Sequence, residues 1–232
     1  MIATLYANAP GPWPLREGVV HVWRFACQQD PGALAATLSP EEQHVASRFA
    51  TRALRDAYIV QHAMLRGLLA RYVDCAPDRI ELARGARGKP YVVGRDLEVN
   101  LAHCDDVALL AVACGIAVGV DVERLDAGLD THALGRIVLA PSEVALGGDR
   151  RGFLRVWCRK EACLKATGVG LLDDLTAVSV VAERVDVAGD VVYVQDLDVG
   201  TAHAAALATS VPCARVTGCA RPDELETVRV SW

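Results

Sequence analysis

The sequence predicts an α+β protein made of two similar halves that meet near residues 114–118. In the first half a long helical pattern is followed by a run of short strand patterns, and the second half repeats this order of events. The chain of 232 residues is also long enough for one large domain or two small ones with a hydrophobic core. We therefore expect an N-terminal half over residues 1–114 and a C-terminal half over residues 115–232, although no sequence repeat relates them.

The first half begins with a helical pattern over residues 39–72. Ser39 and Pro40 are a typical helix start, with a hydroxyl that caps the first turn and a proline at the first helical position. Apolar residues then recur at helical spacing and mark the face predicted to be buried: Phe49, Ala53, Ala57, Val60, Met64 and Leu68. Strand patterns follow at residues 80–83, 91–93, 99–102 and 107–113.

The second half opens with a strand pattern over residues 117–123, after a hinge at Gly115. Helical patterns come next, over residues 131–138, 142–146 and 151–167. The last helix is predicted to end at Gly168, because glycine readily adopts the left-handed conformation of a helix C-terminus. Strand patterns then return at residues 177–181, 191–194, 204–208 and 214–218.

Composition and charge argue against several classes of protein. The formal net charge is −5, whereas a nucleic-acid binder normally carries a basic stripe. No stretch approaches the roughly 20 apolar residues of a membrane span, and no signal peptide pattern is present, so we expect a cytoplasmic protein without membrane association. The eight cysteines form no Cys-x-x-Cys pair and no zinc-finger spacing, which predicts mostly free thiols in a reducing compartment. A disulfide or a zinc site is the minor alternative.

Three carboxylates are candidates for a metal site. Asp121 and Glu123 lie two residues apart at the end of an apolar strand pattern, so both side chains face the same side of the strand. Carboxylates suit Mg²⁺ when it is bound together with substrate phosphates. Glu161 and Lys165 share one face of the last predicted helix. Taken alone, each pair has an ordinary alternative: an exposed strand end in one case and a helical ion pair in the other.

A basic, glycine-rich loop is the second candidate element. Over residues 84–91, glycines would let an anion approach the backbone closely while three cations neutralise it. These cations are Arg84, Arg87 and Lys89. The strand pattern that follows ends with Asn100 and His103. By itself such a loop is usually a solvated turn, and a single histidine is more often a core or surface residue than a phosphate ligand.

Together and in this order, these segments resemble the Sfp-type 4′-phosphopantetheinyl transferases. The signatures of that family are a Gly-Lys-Pro loop, an Asn-x-Ser-His strand end, a Gly-x-Asp-x-Glu strand and a Trp-x-x-Lys-Glu-x-x-x-Lys helix. Here they correspond to residues 88–90, 100–103, 119–123 and 157–165. The resemblance extends from about residue 38 to residue 171, which is over half of the chain.

The resemblance implies a fold of two halves related by a pseudo-twofold axis, with coenzyme A bound as substrate in the cleft between them. It implies Mg²⁺ at Asp121, Glu123 and Glu161, and catalytic roles for Glu161, Lys165 and Asp121. The positions that it assigns to coenzyme A binding are Arg52, Arg84, Arg87, Gly88, Lys89, Pro90, Ala102, His103 and Lys165. The acceptor would be a serine of an apo acyl or peptidyl carrier protein.

Three departures from the family pattern affect this expectation: Glu42 and Val45 stand where some members have lysines, the aromatic pair before the linker helix is replaced in residues 136–143, and the third lies beside His103. Ala102 stands where the family has a serine before the histidine, so a phosphate contact there must come from the backbone or from other groups. Two other functions would use the same residues: a catalytically silent coenzyme A sensor and a Mg²⁺-dependent phosphohydrolase. The complete carboxylate set with Lys165 argues against the sensor. Because both halves of the cleft belong to one chain, we expect a monomer.

Overall fold

The computed structural model describes residues 13–85, 88–126, 128–170, 174–212 and 215–219. The strands in this part of the chain are β1 Val19–Ala26, β2 Leu82–Arg84, β3 Pro90–Val92, β4 Glu98–His103, β5 Val107–Ala113, β6 Val118–Arg124, β7 Arg184–Val187, β8 Asp190–Asp196, β9 His203–Thr209 and β10 Arg215–Cys219. The α-helices are α1 Pro40–Ser47, α2 Arg52–Val73, α3 Thr131–Val138 and α4 Arg150–Thr167. The mixed α+β class predicted from the sequence is confirmed. A helix able to cross a membrane is not found among these residues.

The strands form two sheets. The first has the order β10-β1-β5-β4-β3-β2, and the second has the order β6-β9-β8-β7. All pairings are antiparallel except that of β10, which runs parallel to β1. The last described strand of the chain therefore belongs to the sheet that the N-terminal residues build. The division between residues 114 and 115 stays a prediction.

The core has three parts, and their order gives the layers of the molecule. One part lies between α2 and the first sheet, and another lies between α4 and the second sheet. The third part joins residues of β1 and β5 to residues of β6 and β9, so the two sheets pack against each other. Alternation along β5 supports this arrangement, because Leu109 and Ala111 belong to the middle core while Leu110 and Val112 belong to the α2 side.

Several predicted elements differ from the structure. The single helix expected over residues 39–72 is two helices, because the chain leaves the helical path after α1 and Thr51 caps a new helix by accepting from the N–H of Leu54. Phe49 and Ala53 are consequently exposed, whereas Val60 and Met64 are buried as predicted. The strand expected over residues 177–181 is wrong, and a short 3₁₀ turn at Leu175–Ala177 precedes irregular chain there. The helix expected over residues 142–146 is also a 3₁₀ turn, Pro141–Glu143.

Strand β6 and helix α4 approach each other closely at Gly119. A Cβ atom placed on Gly119 would lie 2.1 Å from the carbonyl oxygen of Ala162 and 2.4 Å from the backbone nitrogen of Ala166. Both are backbone atoms of a helix and cannot move aside as a side chain could. Only glycine allows this strand and this helix to touch, and the contact sets the positions of the residues that follow on β6.

We expect Gly119→Ala to destabilise the protein by about 3 kcal/mol, because the added methyl group overlaps helix backbone. Gly128→Ala is the matched control: a Cβ there meets nothing within 4 Å, so its effect should stay within about 0.5 kcal/mol. Urea unfolding followed by circular dichroism measures both. Equal stability of the two variants would contradict the proposed backbone contact.

A buried polar cluster fixes α1 against α2. The carboxylate of Glu42 accepts hydrogen bonds from Arg66 Nε at 2.5 Å and from the backbone N–H of Ser39 at 2.9 Å, and it lies 3.0 Å from His62 Nδ1. Burial alone would raise the pKa of Glu42, but the hydrogen bonds from His62, Ser39 and Arg66 outweigh it and lower the pKa to about 2. Ser39 is thus part of a capping box, as its sequence context predicted in part.

This depressed pKa predicts an acid-sensitive contribution to stability. The Glu42 carboxyl has a pKa of about 2 when folded against 4.5 in its unperturbed state, so its contribution of about 3 kcal/mol is complete above pH 4.5 and is lost as the pH falls towards 2. Glu42→Gln should flatten this part of the stability curve. Glu41→Gln, an exposed neighbour, should leave it unchanged. Urea unfolding at a series of pH values distinguishes the two, and parallel curves for wild type and Glu42→Gln would refute the assignment.

Candidate active site

An open cleft of about 280 Å³ lies between residues of the first sheet and helix α4. One wall comes from the glycine-rich loop and from β4, and the opposite wall comes from the C-terminal half of α4. The lining residues are Gly88, Lys89, Pro90, Asn100, Glu161, Leu164, Lys165, Gly168 and Gly170. Residues that are over 70 positions apart in the sequence, such as Lys89 and Lys165, therefore share one site.

Asp121 is the most deeply buried of the three candidate carboxylates, with 6% of its surface exposed. Its Oδ1 atom accepts a hydrogen bond from Lys165 Nζ at 2.6 Å. Its Oδ2 atom is buried and has no hydrogen-bond partner. An unsatisfied buried carboxylate oxygen is costly in a folded protein, and a bound cation would satisfy it.

Glu123 and Glu161 lie half-buried beside Asp121. Burial raises the pKa of both carboxyls, and the negative charge of Asp121 raises each further. Trp157 Nε1 donates to Glu123 Oε1 at 3.2 Å, which partly offsets the shift of Glu123. Burial is the larger cause of the raised pKa values, and the repulsion from Asp121 shows that the three carboxylates lie close enough to interact.

This donor set fits a hard divalent cation such as Mg²⁺. All three side chains offer carboxylate oxygens, one of which is unpaired, and their mutual repulsion favours a bound positive charge. With Lys165 bound to Asp121 and Trp157 bound to Glu123, the donor atoms of the three carboxylates are not gathered within 4.8 Å of one another. In this arrangement the ammonium of Lys165 supplies the positive charge that contacts Asp121.

The basic loop faces the acidic set across the cleft. Lys89 Nζ donates to Glu98 at 2.7 Å and lies 3.4 Å from the carbonyl oxygen of Ala166, near the end of α4. Arg84 is exposed and donates to the carbonyl oxygen of Gly88 at 3.0 Å, and Gly88 has a φ of +82°. The loop can turn at this point because glycine tolerates positive φ. Arg87, which the sequence placed in the same set, lies outside the described residues.

The remaining predicted positions are less closely gathered. His103 is exposed at the end of β4, where partial desolvation and the charge of Lys165 lower its pKa. Ala102 is buried in the core between the sheets, so its side chain points away from solvent. Arg52 is exposed at the start of α2 and pairs with Asp56 of the same helix at 3.1 Å.

Two residues that support the site were not assigned a role from the sequence. Asn100 is buried, and its Oδ1 atom accepts from the backbone N–H of Val120 at 2.8 Å, so β4 of the first sheet is tied to β6 directly beside Asp121. Trp157, the first residue of the helix motif, packs against the second core and also donates to Glu123. The motif contained both residues, but only tertiary contacts show what they do.

Lys160, which precedes Glu161 in the motif, has a structural role. It is 2% exposed and lies 2.8 Å from the carboxylate of Glu143, which is fully buried. Its ammonium also donates to the carbonyl oxygens of Leu175 and Val178 at 2.7 and 2.5 Å. The carboxylate of Glu143 accepts two backbone hydrogen bonds in turn. Every charge in this pair is satisfied, and the pair fixes α4 so that Glu161 faces the cleft.

We expect Lys160→Met to destabilise the protein by about 3–5 kcal/mol, since it leaves the Glu143 carboxylate buried without its partner. Arg155→Met is the matched control on the same helix, because Arg155 is half-exposed and pairs with Asp196 at the surface; its cost should not exceed about 1 kcal/mol. Equilibrium urea unfolding measures both. If Lys160→Met proved as mild as the control, the pair would not be an anchor of α4.

Comparisons with known proteins identify the family of this chain. Residues 117–205 match the family model of the 4′-phosphopantetheinyl transferase superfamily, and residues 22–115 match the N-terminal model of 4′-phosphopantetheinyl transferase. The chain is 33% identical over 184 residues to the 4′-phosphopantetheinyl transferase HetI of Nostoc, covering 74% of this chain and 78% of that protein. It is 30% identical over 158 residues to a phosphopantetheinyl transferase of Thraustochytrium, covering 60% of this chain and 55% of the relative.

Proposed function

Because the chain belongs to the 4′-phosphopantetheinyl transferase superfamily, we propose that it transfers the 4′-phosphopantetheine group of coenzyme A to a serine of an apo acyl or peptidyl carrier protein. The observation that supports this most directly is that Glu161 and Lys165 line one cleft with the basic loop, while Asp121 accepts a hydrogen bond from Lys165 and its charge raises the pKa of Glu123 and Glu161. The products are the holo carrier protein and 3′,5′-ADP.

The reaction forms one bond and breaks one bond. The serine oxygen attacks the β-phosphorus of coenzyme A, and the phosphoanhydride bond to the α-phosphate breaks. The serine proton must leave, and Glu161 is the group that we propose accepts it, because it lines the cleft and its raised pKa makes it a better base than an ordinary carboxylate. The 3′,5′-ADP then leaves with the charge of the broken bond.

Lys165 stabilises the developing charge. Its ammonium now contacts Asp121, and the same position allows it to contact a phosphate entering the cleft. Asp121, Glu123 and Glu161 are the residues that would hold Mg²⁺. A bound Mg²⁺ would supply further positive charge to the pyrophosphate as its bond breaks.

The nucleotide end of coenzyme A is proposed to lie against the glycine-rich loop and His103. Gly88, Lys89 and Pro90 line the same cleft as Lys165, so a pyrophosphate held by Lys165 would extend towards them. His103 has a lowered pKa beside Lys165, and a bound 3′-phosphate would offset that positive field and favour the charged imidazolium. Arg84, Arg87, Arg52 and the backbone of Ala102 are the remaining proposed contacts.

We also propose that the protein acts as a monomer in the cytoplasm, without membrane or nucleic acid. Both walls of the cleft come from one chain, and six cysteines in the described ranges are free thiols, which suits a reducing compartment. Carrier proteins are usually acidic, so their docking surface here would be a local basic or apolar patch and not the average surface of a chain with net charge −5.

The test is the intact mass of a panel of apo carrier proteins incubated with this protein, coenzyme A and Mg²⁺. We expect a gain of one phosphopantetheine per carrier and no gain when a chelator is added. Glu161→Gln should slow the gain by about 10²–10⁴-fold, since a general base contributes that much. Arg155→Met, which is outside the cleft, should react at the wild-type rate.

Other outcomes would replace the proposal. If no carrier gains mass while coenzyme A still binds, the protein is a coenzyme A sensor. If 3′,5′-ADP is released at the same rate with and without carrier, it is a phosphohydrolase. If the mass gain persists in chelator, the Mg²⁺ assignment is wrong although the transferase assignment stands.

A further inference from the structure

A second group of ligand-type side chains lies where the turn between β4 and β5 meets the start of β9. Cys104 and Asp106 belong to that turn, in the first sheet, and His203 is the first residue of β9, in the second sheet. None of the three belongs to the carboxylate set of the cleft. Nearly 100 residues separate the turn from His203, so the contact between them is a tertiary contact.

The donor atoms of these residues already lie at distances suited to a shared ion. One donor atom from each lies within 4.8 Å of the other two. Asp106 Oδ1 is 3.0 Å from His203 Nε2 and 3.6 Å from Cys104 Sγ. Tetrahedral zinc with ordinary bond lengths places its ligand atoms about 3.3–3.7 Å from one another. Only small side-chain adjustments separate the observed cluster from such a site.

The geometry points to a binding site for a zinc-class divalent ion, held by Cys104 Sγ, Asp106 Oδ1 and His203 Nε2. Thiolate and imidazole ligands favour Zn²⁺ and related transition metals over Mg²⁺, which prefers oxygen alone. On binding, the Cys104 thiol releases its proton to solvent, and the imidazole of His203 carries its one proton on Nδ1. No electron is transferred in this step.

The backbone around the cluster is fixed before any ion binds. The N–H of Cys104 donates to the carbonyl oxygen of Val107 at 2.9 Å, and the carbonyl oxygen of Asp106 accepts from the N–H of Cys27 on the adjoining strand end at 2.8 Å. Arg124, the cross-strand neighbour of His203, forms an ion pair with Asp126. The turn is therefore held in place by backbone hydrogen bonds, and the charge of Arg124 acts on Asp106 as well as on Asp126.

Access to the cluster is open from one side. The side chain of Asp106 is 35% exposed, and that of His203 is 5% exposed. His203 also lines an open cavity of about 510 Å³ whose other wall includes Arg151 and Arg155. Three protein ligands with a solvent-facing side leave the fourth position of a tetrahedral ion to water or to an exogenous ligand.

Such an ion would connect the two sheets of the molecule. Its ligands come from both sheets. Cys104 also directly follows His103, whose pKa is lowered by the charge of Lys165. A ligand that binds the folded state alone raises its stability. Occupancy should therefore raise the melting temperature of the whole protein and not only order a surface turn.

The test uses the full chain, prepared without a metal-affinity tag, stripped with chelator and supplied with excess Mg²⁺ to saturate the carboxylate site. We titrate it with Co²⁺, whose bond to a thiolate gives a charge-transfer absorption band, and then displace Co²⁺ with Zn²⁺. We expect one equivalent to bind. Cys104→Ser should abolish the band, and His203→Gln should weaken binding roughly a hundredfold or more, since even residues outside the direct ligand shell contribute 10–100-fold.

Cys114→Ser is the matched control. Cys114 is half-buried and its thiol also contacts a carboxylate, Asp96 Oδ2 at 3.8 Å, but it is not part of the three-residue cluster. The band should survive in this variant. A wild-type protein without a thiolate band, or a band that persists in Cys104→Ser, would overturn the proposal.

A second measurement covers variants that fold poorly. Equimolar Zn²⁺ should raise the melting temperature of wild type and of Cys114→Ser, while Mg²⁺ at the same concentration should not. A melting temperature of wild type that does not respond to Zn²⁺ would count against the site, whatever the variants do.

Discussion

The contact between the backbones of β6 and α4 at Gly119 is the constraint on which the site depends. Asp121 and Glu123 come from a strand, and Glu161 and Lys165 come from a helix on its face. The close approach of the two elements at Gly119 places the short side chain of Asp121 2.6 Å from Lys165 Nζ. The glycine two residues before Asp121 is therefore a packing requirement of the acidic set, and not a loop residue that happens to precede it.

The same helix carries two lysine–carboxylate pairs with opposite character. Lys160 and Glu143 are buried with every donor and acceptor engaged, so their pair only holds the fold. Lys165 and Asp121 leave one carboxylate oxygen without a partner and stand beside two further carboxylates whose pKa values are raised. Incomplete satisfaction distinguishes the Lys165–Asp121 pair from the Lys160–Glu143 pair, because a cation and a phosphate could complete it.

The sequence predicted the helices and strands that have a clear local hydrophobic pattern. It also predicted the acidic residues that lie on those elements. β5, α3 and α4 were found within one residue, and the i, i+2 and i, i+4 spacings placed Asp121 with Glu123 and Glu161 with Lys165. β1 was missed, and so was β7, although β7 pairs with the adjacent strand β8. The return of β10 to the first sheet was missed because strand pairing over such a separation leaves no local period. The break before α2 was missed because the apolar spacing continues through it, although Thr51 is a recognisable cap.

The interface between the two sheets shows where local patterns stop being informative. Asn100 joins β4 to β6 by accepting from a backbone N–H, and Asp106 joins the next turn to β9 through His203. The spacing of the cysteines argued against a zinc site, but spacing rules recognise only ligands that are close together in the sequence. Cys104 and His203 become neighbours only after both sheets have formed and packed. Because the ligands come from both sheets, they lie close together only when the sheets are packed against each other. Binding of an ion there would therefore depend on the interface between the two sheets.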